Sequence, residues 1–371
     1  MHSAFRIAGI GAGALLLLAV TGATLFHHAE FAPRTSPNSP DRIGDRAEEE
    51  MINETFSVQP GEQLLVDVIH SDIHIEKARG SEARIRITLE GREINDQAHD
   101  FFEYLNFEVG QTDGKLFVRT DPKGNWSWRR SGWRMRAGVH VYISVPEMFD
   151  AKMDVAHGDV DIDALKGALN VDLAHGDLDA ESLSGSSLSM DIAHGDVQTS
   201  QLGSERIRLA LQHGDLSTHR IDATDVELST AHGDLDIDYA TAETIRIRTT
   251  HGDLAMNHVT AGQIDVGASH GDIDVYEMDG YPRMEVRHGD ISLHFLQAAG
   301  GNFSTAHGDI DLSAPERTAL DVDLKASDVS MDHAFQFEGT RKEKEVQGRV
   351  NGGGPELYAR ASHGEVALRT R

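Results

Sequence analysis

The chain has 371 residues, with 61 Asp and Glu against 34 Lys and Arg, and a formal net charge of −27 when His is neutral. Such an acidic chain repels phosphates, so its composition argues against nucleic acid as a partner. Cysteine is absent, which excludes disulfides and thiolate metal sites.

Residues 1–31 are predicted to export the chain. Ile7 to Phe26 is a run of 20 residues without a charged side chain, which is long enough to span a bilayer. Its length favours a signal anchor that is not cleaved, and a cleaved signal peptide is the alternative. An uncleaved anchor would place the rest of the chain on the periplasmic side of the inner membrane. After cleavage it would be periplasmic or at the cell surface.

A short tether and a cap are predicted next. Residues 32–51 are rich in Pro, Ser and charged residues, which is typical of a flexible tether. Residues 52–150 are predicted to form the entry cap and first strands of a solenoid, because an open stack of strands exposes an edge that must be covered. Within them, His70-Ser71-Asp72 is a degenerate copy of a tripeptide that recurs later, and the apolar residues between Ile94 and Leu105 have helical spacing.

The segment "KGNWSWRRSGWRMR", residues 123–136, reverses the local charge and contains all three Trp of the chain. Trp beside Arg suits a membrane surface, an anionic glycan or an acidic envelope protein. The alternative is a loop whose rings cover the end of the core. The candidate partner-binding residues are Trp126, Trp128, Arg129, Arg130, Trp133 and Arg134.

The tripeptide His-Gly-Asp then occurs nine times at intervals of 18 or 19 residues. On both sides of it, apolar and polar residues alternate with period two, as in Val171 and Leu173 before His175, which indicates short strands with one buried face. The fold is therefore predicted to be all-β, a β-solenoid of about 19-residue rungs with a small cap at its N-terminal end. Residues 151–331 form the repeat, and residues 332–371 a C-terminal rung and cap that contains His363-Gly364-Glu365.

Two parts of the tripeptide fit a corner between strands. Gly adopts positive φ readily, and Asp accepts hydrogen bonds from nearby backbone N–H groups. Stacking then places the nine His in one ladder and the nine Asp in another. Folding alone does not explain why His, rather than Ser, Asn or Thr, fills the first place.

Divalent metal is one explanation for the His. Imidazoles on adjacent rungs could converge on Zn, Cu or Ni, and stacked acidic turns could bind Ca. Against this, a straight ladder provides two ligands where a tetrahedral site needs three or four. The candidate His ligands are His157, His175, His194, His213, His232, His251, His270, His288 and His307. The candidate Asp ligands are Asp159, Asp177, Asp196, Asp215, Asp234, Asp253, Asp272, Asp290 and Asp309.

A surface that responds to pH is the other explanation. A neighbouring Asp raises the pKa of a His, whereas neighbouring His residues lower it. The sign of the net effect stays open at this point.

"VHVYISVP", the run of "AHGDLDID"-like turns and the closing "NGGGPELYARASHGEVAL" resemble the bacterial putative-adhesin family of β-strand repeat proteins, a domain of unknown function. The resemblance covers roughly residues 55–370. It implies a solenoid of the cell envelope and carries no defined ligand residues. The uniform His before Gly-Asp departs from the small polar residue usual in that family.

These observations predict a non-catalytic, adhesin-like binding or scaffolding protein of the cell envelope. Metal binding or a pH response by the His and Asp ladders is the alternative. A polysaccharide-acting β-helix enzyme is a third class, but nine equivalent His/Asp pairs do not single out one catalytic site. No catalytic residue and no required cofactor is predicted. The expected partners are an envelope protein, a glycan or a membrane surface, and the sequence does not indicate the oligomeric state.

Overall fold

The computed structural model describes residues 47–124, 136–297 and 300–371. Strand β1 begins at Ala47, five residues inside the segment 32–51 predicted to be a tether. The predicted signal anchor and residues 32–46 of the tether lie outside the described residues. No helix in the described part of the chain is long and apolar enough to cross a membrane.

The first third of the described chain contains eight strands and one helix. The helix α1 covers the residues whose apolar spacing predicts it, with Ala98, Phe101 and Leu105 buried. The elements are β1 (Ala47–Ser57), β2 (Gln63–Val68), β3 (Asp72–Lys77), β4 (Glu82–Gly91), α1 (Asp96–Leu105), β5 (Phe107–Thr112), β6 (Lys115–Thr120), β7 (Ala137–Val145) and β8 (Asp150–Val155).

The remaining described elements are strands of the stack and its C-terminal end. Those of the regular repeat are β9 (Val160–Lys166), β10 (Leu169–Leu173), β11 (Leu178–His194), β12 (Val197–His213), β13 (Leu216–His232), β14 (Leu235–His251), β15 (Leu254–His270), β16 (Ile273–His288), β17 (Ile291–Phe295), β18 (Gly301–His307) and β19 (Ile310–Ala314). They are followed by β20 (Leu320–Lys325), β21 (Asp328–Met331), β22 (Phe337–Lys342), β23 (Glu345–Val350), β24 (Glu356–His363) and β25 (Glu365–Thr370).

The predicted all-β solenoid is confirmed. Each rung has one leg that ends at His and a second that begins directly after Asp, and equivalent residues of adjacent rungs pair in parallel, for example His194 with His213. The alternating apolar columns are buried: Met190, Leu209 and Leu228, four residues before successive His, are at most 1% exposed. Parallel pairing satisfies the backbone groups of both neighbours, and the stacked apolar columns form one continuous core.

At both ends of the stack the order of the rungs differs from their order along the chain. Strand β2 pairs with β6 on one side and β8 on the other, so the His70 rung is the second from the N-terminal end. Strand β24 likewise lies between β18 and β20, so the C-terminal residues form the second rung from the opposite end. The terminal rung there is β20 and β21, which carries the decayed corner Ala326-Ser327-Asp328.

Antiparallel strands close both ends. At the N-terminal end β4 runs antiparallel to β7 and to the exposed strand β1, which places Glu48, Glu49 and Glu50 along the outer edge. At the other end the β22–β23 hairpin pairs antiparallel with β20. A charged or crossed edge resists pairing with further strands, so the caps disfavour end-to-end stacking.

Two buried Thr are expected to reduce stability locally, because a buried hydroxyl without a hydrogen-bond partner costs free energy. The hydroxyls of Thr230 and Thr249 have no hydrogen-bond partner among the described residues. Thr249→Val keeps the shape and removes the unpaired hydroxyl, so it is expected to raise the free energy of unfolding by about 1 kcal/mol in urea denaturation. The matched control is Thr218→Val, because the Thr218 hydroxyl bonds that of Thr199 at 2.8 Å. That variant is expected to be destabilised by a similar amount, and equal effects of the two substitutions would contradict this account.

Candidate binding face

The His of the repeat form one continuous stack. Neighbouring ring centroids are 4.6–4.9 Å apart, and neighbouring ring planes are within 18° of parallel. We call these eleven side chains the imidazole ladder. Its members are His70, His157, His175, His194, His213, His232, His251, His270, His288, His307 and His363. The ladder extends the nine predicted His by one residue at each end and is about 48 Å long at the spacing of stacked strands.

The carboxylates form a parallel ladder that joins the rungs. Oδ1 of each Asp accepts the backbone N–H of the equivalent residue in the next rung, at 2.7–3.0 Å. Asp therefore links adjacent corners, whereas the sequence suggested only that it holds its own corner. We call this set the carboxylate ladder. Its members are Asp72, Asp159, Asp177, Asp196, Asp215, Asp234, Asp253, Asp272, Asp290, Asp309 and, accepting no such bond, Glu365.

Glycine is required between the ladders for two reasons. Gly233 has φ +136°, a conformation that L side chains rarely adopt. A Cβ there would also lie 1.9 Å from the carbonyl oxygen of Gly214 in the preceding rung. The corner is thus a projecting His, a bare Gly and a projecting Asp. We call the two ladders with the Gly between them the corner face.

In the imidazole ladder, equivalent nitrogens of neighbouring rings are too far apart to bind one zinc ion together. Two nitrogens bound to one Zn are at most about 4.2 Å apart, since each Zn–N bond is about 2.1 Å. Parallel rings hold their equivalent nitrogens at the ring spacing, which is larger. The described residues contain no group of three or more His, Asp or Glu that could hold a metal ion.

Three His of the imidazole ladder have a pKa that is shifted from its usual value. Desolvation lowers the pKa of His70, His157 and His288, and the charge of the neighbouring imidazoles lowers it further. Arg287 adds to this effect at His288. The sequence left open whether the neighbours of each array His raise or lower its pKa. At these three residues the net effect is a lowered pKa.

A pH prediction follows from this direction. When the folded pKa of a His lies below its unfolded value of about 6.5, the unfolded state binds more protons, so stability falls as pH drops through that value. The double variant His157→Gln/His288→Gln is expected to lose less thermal stability than the parent between pH 7.5 and 5.5. Melting curves followed by circular dichroism at several pH values measure this, and an unchanged slope would contradict the prediction.

A second His provides a control of opposite sign. Burial would lower the pKa of His74, but its hydrogen bond to Asp161 and the charges of Asp161, Asp72 and Glu90 outweigh burial and raise it. The stability from that group is fully present below pH about 6.5 and is lost as pH rises through the folded pKa. His74→Gln is therefore expected to steepen the loss of stability on acidification.

The sequence did not single out the cluster around His74. His74 Nδ1 lies 2.8 Å from Asp161 Oδ2, and its ring stacks on Tyr142 at 4.7 Å. His140 Nδ1 lies 3.4 Å from His74 Nε2. Pairing of β3 with β7 and β9 brings these residues together, so the signal lay in strand order and not in spacing along the chain.

The His outside the repeat motif also gain neighbours. His219 Nδ1 lies 2.9 Å from Asp238 Oδ2, and His258 Nε2 lies 3.0 Å from Glu277 Oε2. The Tyr239 ring stacks on His258 at 4.7 Å. Aligning the rungs six and seven residues after each array His would have shown that these side chains share one side of the solenoid.

The Trp- and Arg-rich candidates, Trp126, Trp128, Arg129, Arg130, Trp133 and Arg134, lie outside the described residues. The two described strands that flank these residues in the sequence are β6, which ends at Thr120, and β7, which begins at Ala137. Both strands lie at the N-terminal end of the stack. The partner-binding hypothesis for these six residues stays a prediction.

Comparison with known proteins identifies the family. The model of the family described as Toastrack DUF4097 matches residues 62–219 and 203–369. The chain belongs to the Toastrack DUF4097 family. The resemblance noted in the sequence is thereby confirmed, and this Toastrack chain contains two successive matches that overlap in the middle of the solenoid.

Several solved structures are similar to this Toastrack chain at low identity. A "putative adhesin" from Parabacteroides distasonis is 13% identical, covers 73% of this chain and 98% of its own, and has a TM-score of 0.39. One from Parabacteroides merdae is 12% identical, with 73% and 97% covered and a TM-score of 0.38. A "putative lipid binding protein" from Parabacteroides distasonis is 9% identical, with 88% and 97% covered and a TM-score of 0.32. No curated protein matches the chain.

Proposed function

We propose that this chain is a non-catalytic, exported binding or scaffolding protein of the cell envelope that acts through its corner face. The observation that supports this most directly is the regularity of that face. In the described part of the chain both ladders continue from His70 to Glu365 with one pair in each of these eleven rungs, and a motif repeated in this way does not mark one rung as a reaction centre. An extended surface of repeated groups suits attachment to another extended surface.

The depressions of the described surface support the same proposal. Two shallow depressions lie beside the imidazole ladder, and one of them, of about 500 Å³, is lined by small residues such as Ala174, Ala193 and Ala231. Asp154, Asp172 and Asp191 lie along one part of it and Arg248 along another. Enzymes that act on small molecules hold them in enclosed pockets with convergent polar groups. These open depressions offer contact area along the rod instead.

The direct test is co-sedimentation with envelope material. Residues 45–371, which form one compact unit, would be mixed with purified peptidoglycan sacculi and with envelope vesicles. The protein is expected to sediment with at least one of them. The triple variant Asp196→Asn/Asp215→Asn/Asp234→Asn is expected to sediment less, because Asn retains the oxygen that accepts the inter-rung bond but removes the charge.

The matched control changes the net charge by the same amount elsewhere. Glu205, Glu227 and Glu243 are exposed and lie outside the corner face, so Glu205→Gln/Glu227→Gln/Glu243→Gln is expected to bind as the parent does. Equal loss in both triple variants would show that only total charge matters. Absence of sedimentation with either material would overturn the proposed envelope binding.

A further inference from the structure

We propose that the corner face pairs with the corner face of a second copy of this chain, with the two rods side by side and parallel. The inference deepens the proposed function by naming a partner for the same face, and its test is independent of envelope binding. It starts from the nine His-Gly-Asp corners of the array, whose exposed His and Asp side chains repeat in a regular row.

The ladders do not satisfy each other within one chain. Among the described ion pairs of His with carboxylates, none joins an array His to the Asp of its own corner. Each array Asp from Asp159 to Asp309 is exposed and uses Oδ1 for the inter-rung bond, so that bond does not occupy its second oxygen, Oδ2. Asp72 differs, since its Oδ2 lies 3.5 Å from His140 Nδ1. His and Asp of the array are exposed, and the Gly between them is less so, which makes these two side chains the outermost groups of the corner.

The pattern is self-complementary under one symmetry operation. A twofold axis parallel to the rod exchanges left and right on the corner face but keeps every rung at its own height. It therefore places the imidazole ladder of one copy opposite the carboxylate ladder of the other, rung by rung. A twofold axis across the rod would instead place imidazole opposite imidazole. Only the parallel arrangement pairs donors with acceptors.

Because both copies have the same rung spacing, contacts between them can form at every array rung. A partner that matches one rung of a 4.6–4.9 Å ladder matches the others only if it has the same repeat, and a second copy of this solenoid has it. A neutral imidazole N–H can donate to Oδ2, and a protonated one forms a stronger, charge-assisted bond. Each exposed pair contributes little alone, but the nine array rungs offer two such contacts each.

Two further features favour side-by-side contact. The antiparallel caps cover both ends of the stack, so the long sides remain the free surfaces. In the parallel arrangement, strand β1 of both copies lies at the same end. Both copies would then present their β1 strands on the same side of the pair.

Charge sets the pH dependence of this association. The net charge of −27 opposes it when His is neutral, and protonation of His reduces that repulsion. The groups that face each array His are the imidazoles above and below it, the Asp of its own corner and the residue that precedes it. That preceding residue is charged only at Arg287. Association is expected to be about tenfold tighter at pH 6.0 than at pH 7.5.

The contact is narrow, so weak association is expected. A strip about 48 Å long and 10 Å wide buries about 500 Å² on each copy, which is less than a stable complex usually buries. Sedimentation velocity of residues 45–371 would be measured up to high micromolar concentration at both pH values. The variant Asp196→Asn/Asp215→Asn/Asp234→Asn/Asp253→Asn/Asp272→Asn keeps the inter-rung acceptors and is expected to associate about tenfold more weakly.

Cysteine cross-linking tests the register, because the chain contains no other Cys. His232→Cys and Asp234→Cys proteins would be mixed and oxidised with diamide, which needs no metal. A disulfide-linked heterodimer is expected. The control mixes His232→Cys with Asp290→Cys, which removes an equivalent carboxylate three rungs away, and is expected to give about a tenth of the product or less.

Three results would overturn the proposal. They are equal cross-linking in both mixtures, efficient cross-linking of His232→Cys with itself alone, and association that requires added Zn²⁺ or Ni²⁺ and disappears with a chelator. In-register cross-linking without sedimentation on envelope material would leave the pairing standing and remove the proposed envelope binding. If the protein sediments with envelope material but remains monomeric at every pH, the proposed envelope binding stands and the proposed pairing is removed.

Discussion

Gly233→Ala is expected to lower the free energy of unfolding by about 4 kcal/mol or more, because a steric clash and backbone strain act together at that position. The added Cβ would lie 1.9 Å from the Gly214 carbonyl oxygen, and the backbone would have to hold φ +136° with a side chain. Relief requires moving the corner away from the preceding rung. That movement would break the bond from the Asp234 N–H to Asp215 Oδ1.

The control for this substitution lies nearby in the same solenoid. Gly203 has no positive φ, and a Cβ there would meet only the Ser184 Cβ at an ordinary 3.7 Å. Gly203→Ala is therefore expected to change stability by less than about 0.5 kcal/mol. Urea denaturation followed by circular dichroism measures both variants. Similar midpoints for the two would show that the corner tolerates a side chain and that Gly is not required there.

Removal of residues 356–371 is expected to destabilise the C-terminal third by about 5 kcal/mol or more, because it takes a rung from within the stack. Strands β24 and β25 pair with β18 and β19 on one side and with β20 and β21 on the other. Without them the terminal rung loses its neighbour, and Phe303, which is fully buried, loses part of its cover.

Hydrogen exchange would show where this truncation acts. Protection is expected to fall in β18–β21 and to persist in the central rungs, since each rung contacts only its neighbours. The control removes Arg371 alone, which pairs with Glu277 at the surface, and is expected to cost less than about 1 kcal/mol. Retention of full protection in β20 and β21 after the longer truncation would contradict the strand order.

The regular part of the fold could be predicted because its contacts are local. A rung touches the rungs before and after it, so the period of 18 or 19 residues and the apolar columns indicate the solenoid, its register and both ladders. The placement of β24 could not be predicted in this way. Its His363 stacks on His307, 56 residues earlier, after the chain has already formed the terminal rung. The order of the rungs in the stack differs there from their order in the chain, and the sequence period does not indicate this difference.

The candidate site also has one part that the sequence predicts and another that it does not. Rung-by-rung stacking of His follows from the repeat, but the acceptor role of Asp Oδ1 depends on the side-chain rotamer, which the sequence does not contain. The cluster of His74 with His140 depends on strands that are distant in the chain. Periodicity thus predicts what repeats and misses what occurs once.

The uniform interior of the stack, between two capped ends, has a consequence for how such a protein can evolve. An interior rung makes the same contacts above and below as the next one, for instance between β12, β13 and β14. Duplication or loss of one 19-residue segment there would lengthen or shorten the rod by about 4.8 Å and leave both caps and their pairings intact. Selection can therefore adjust the length of the rod in equal steps, independently of the side chains present at each corner.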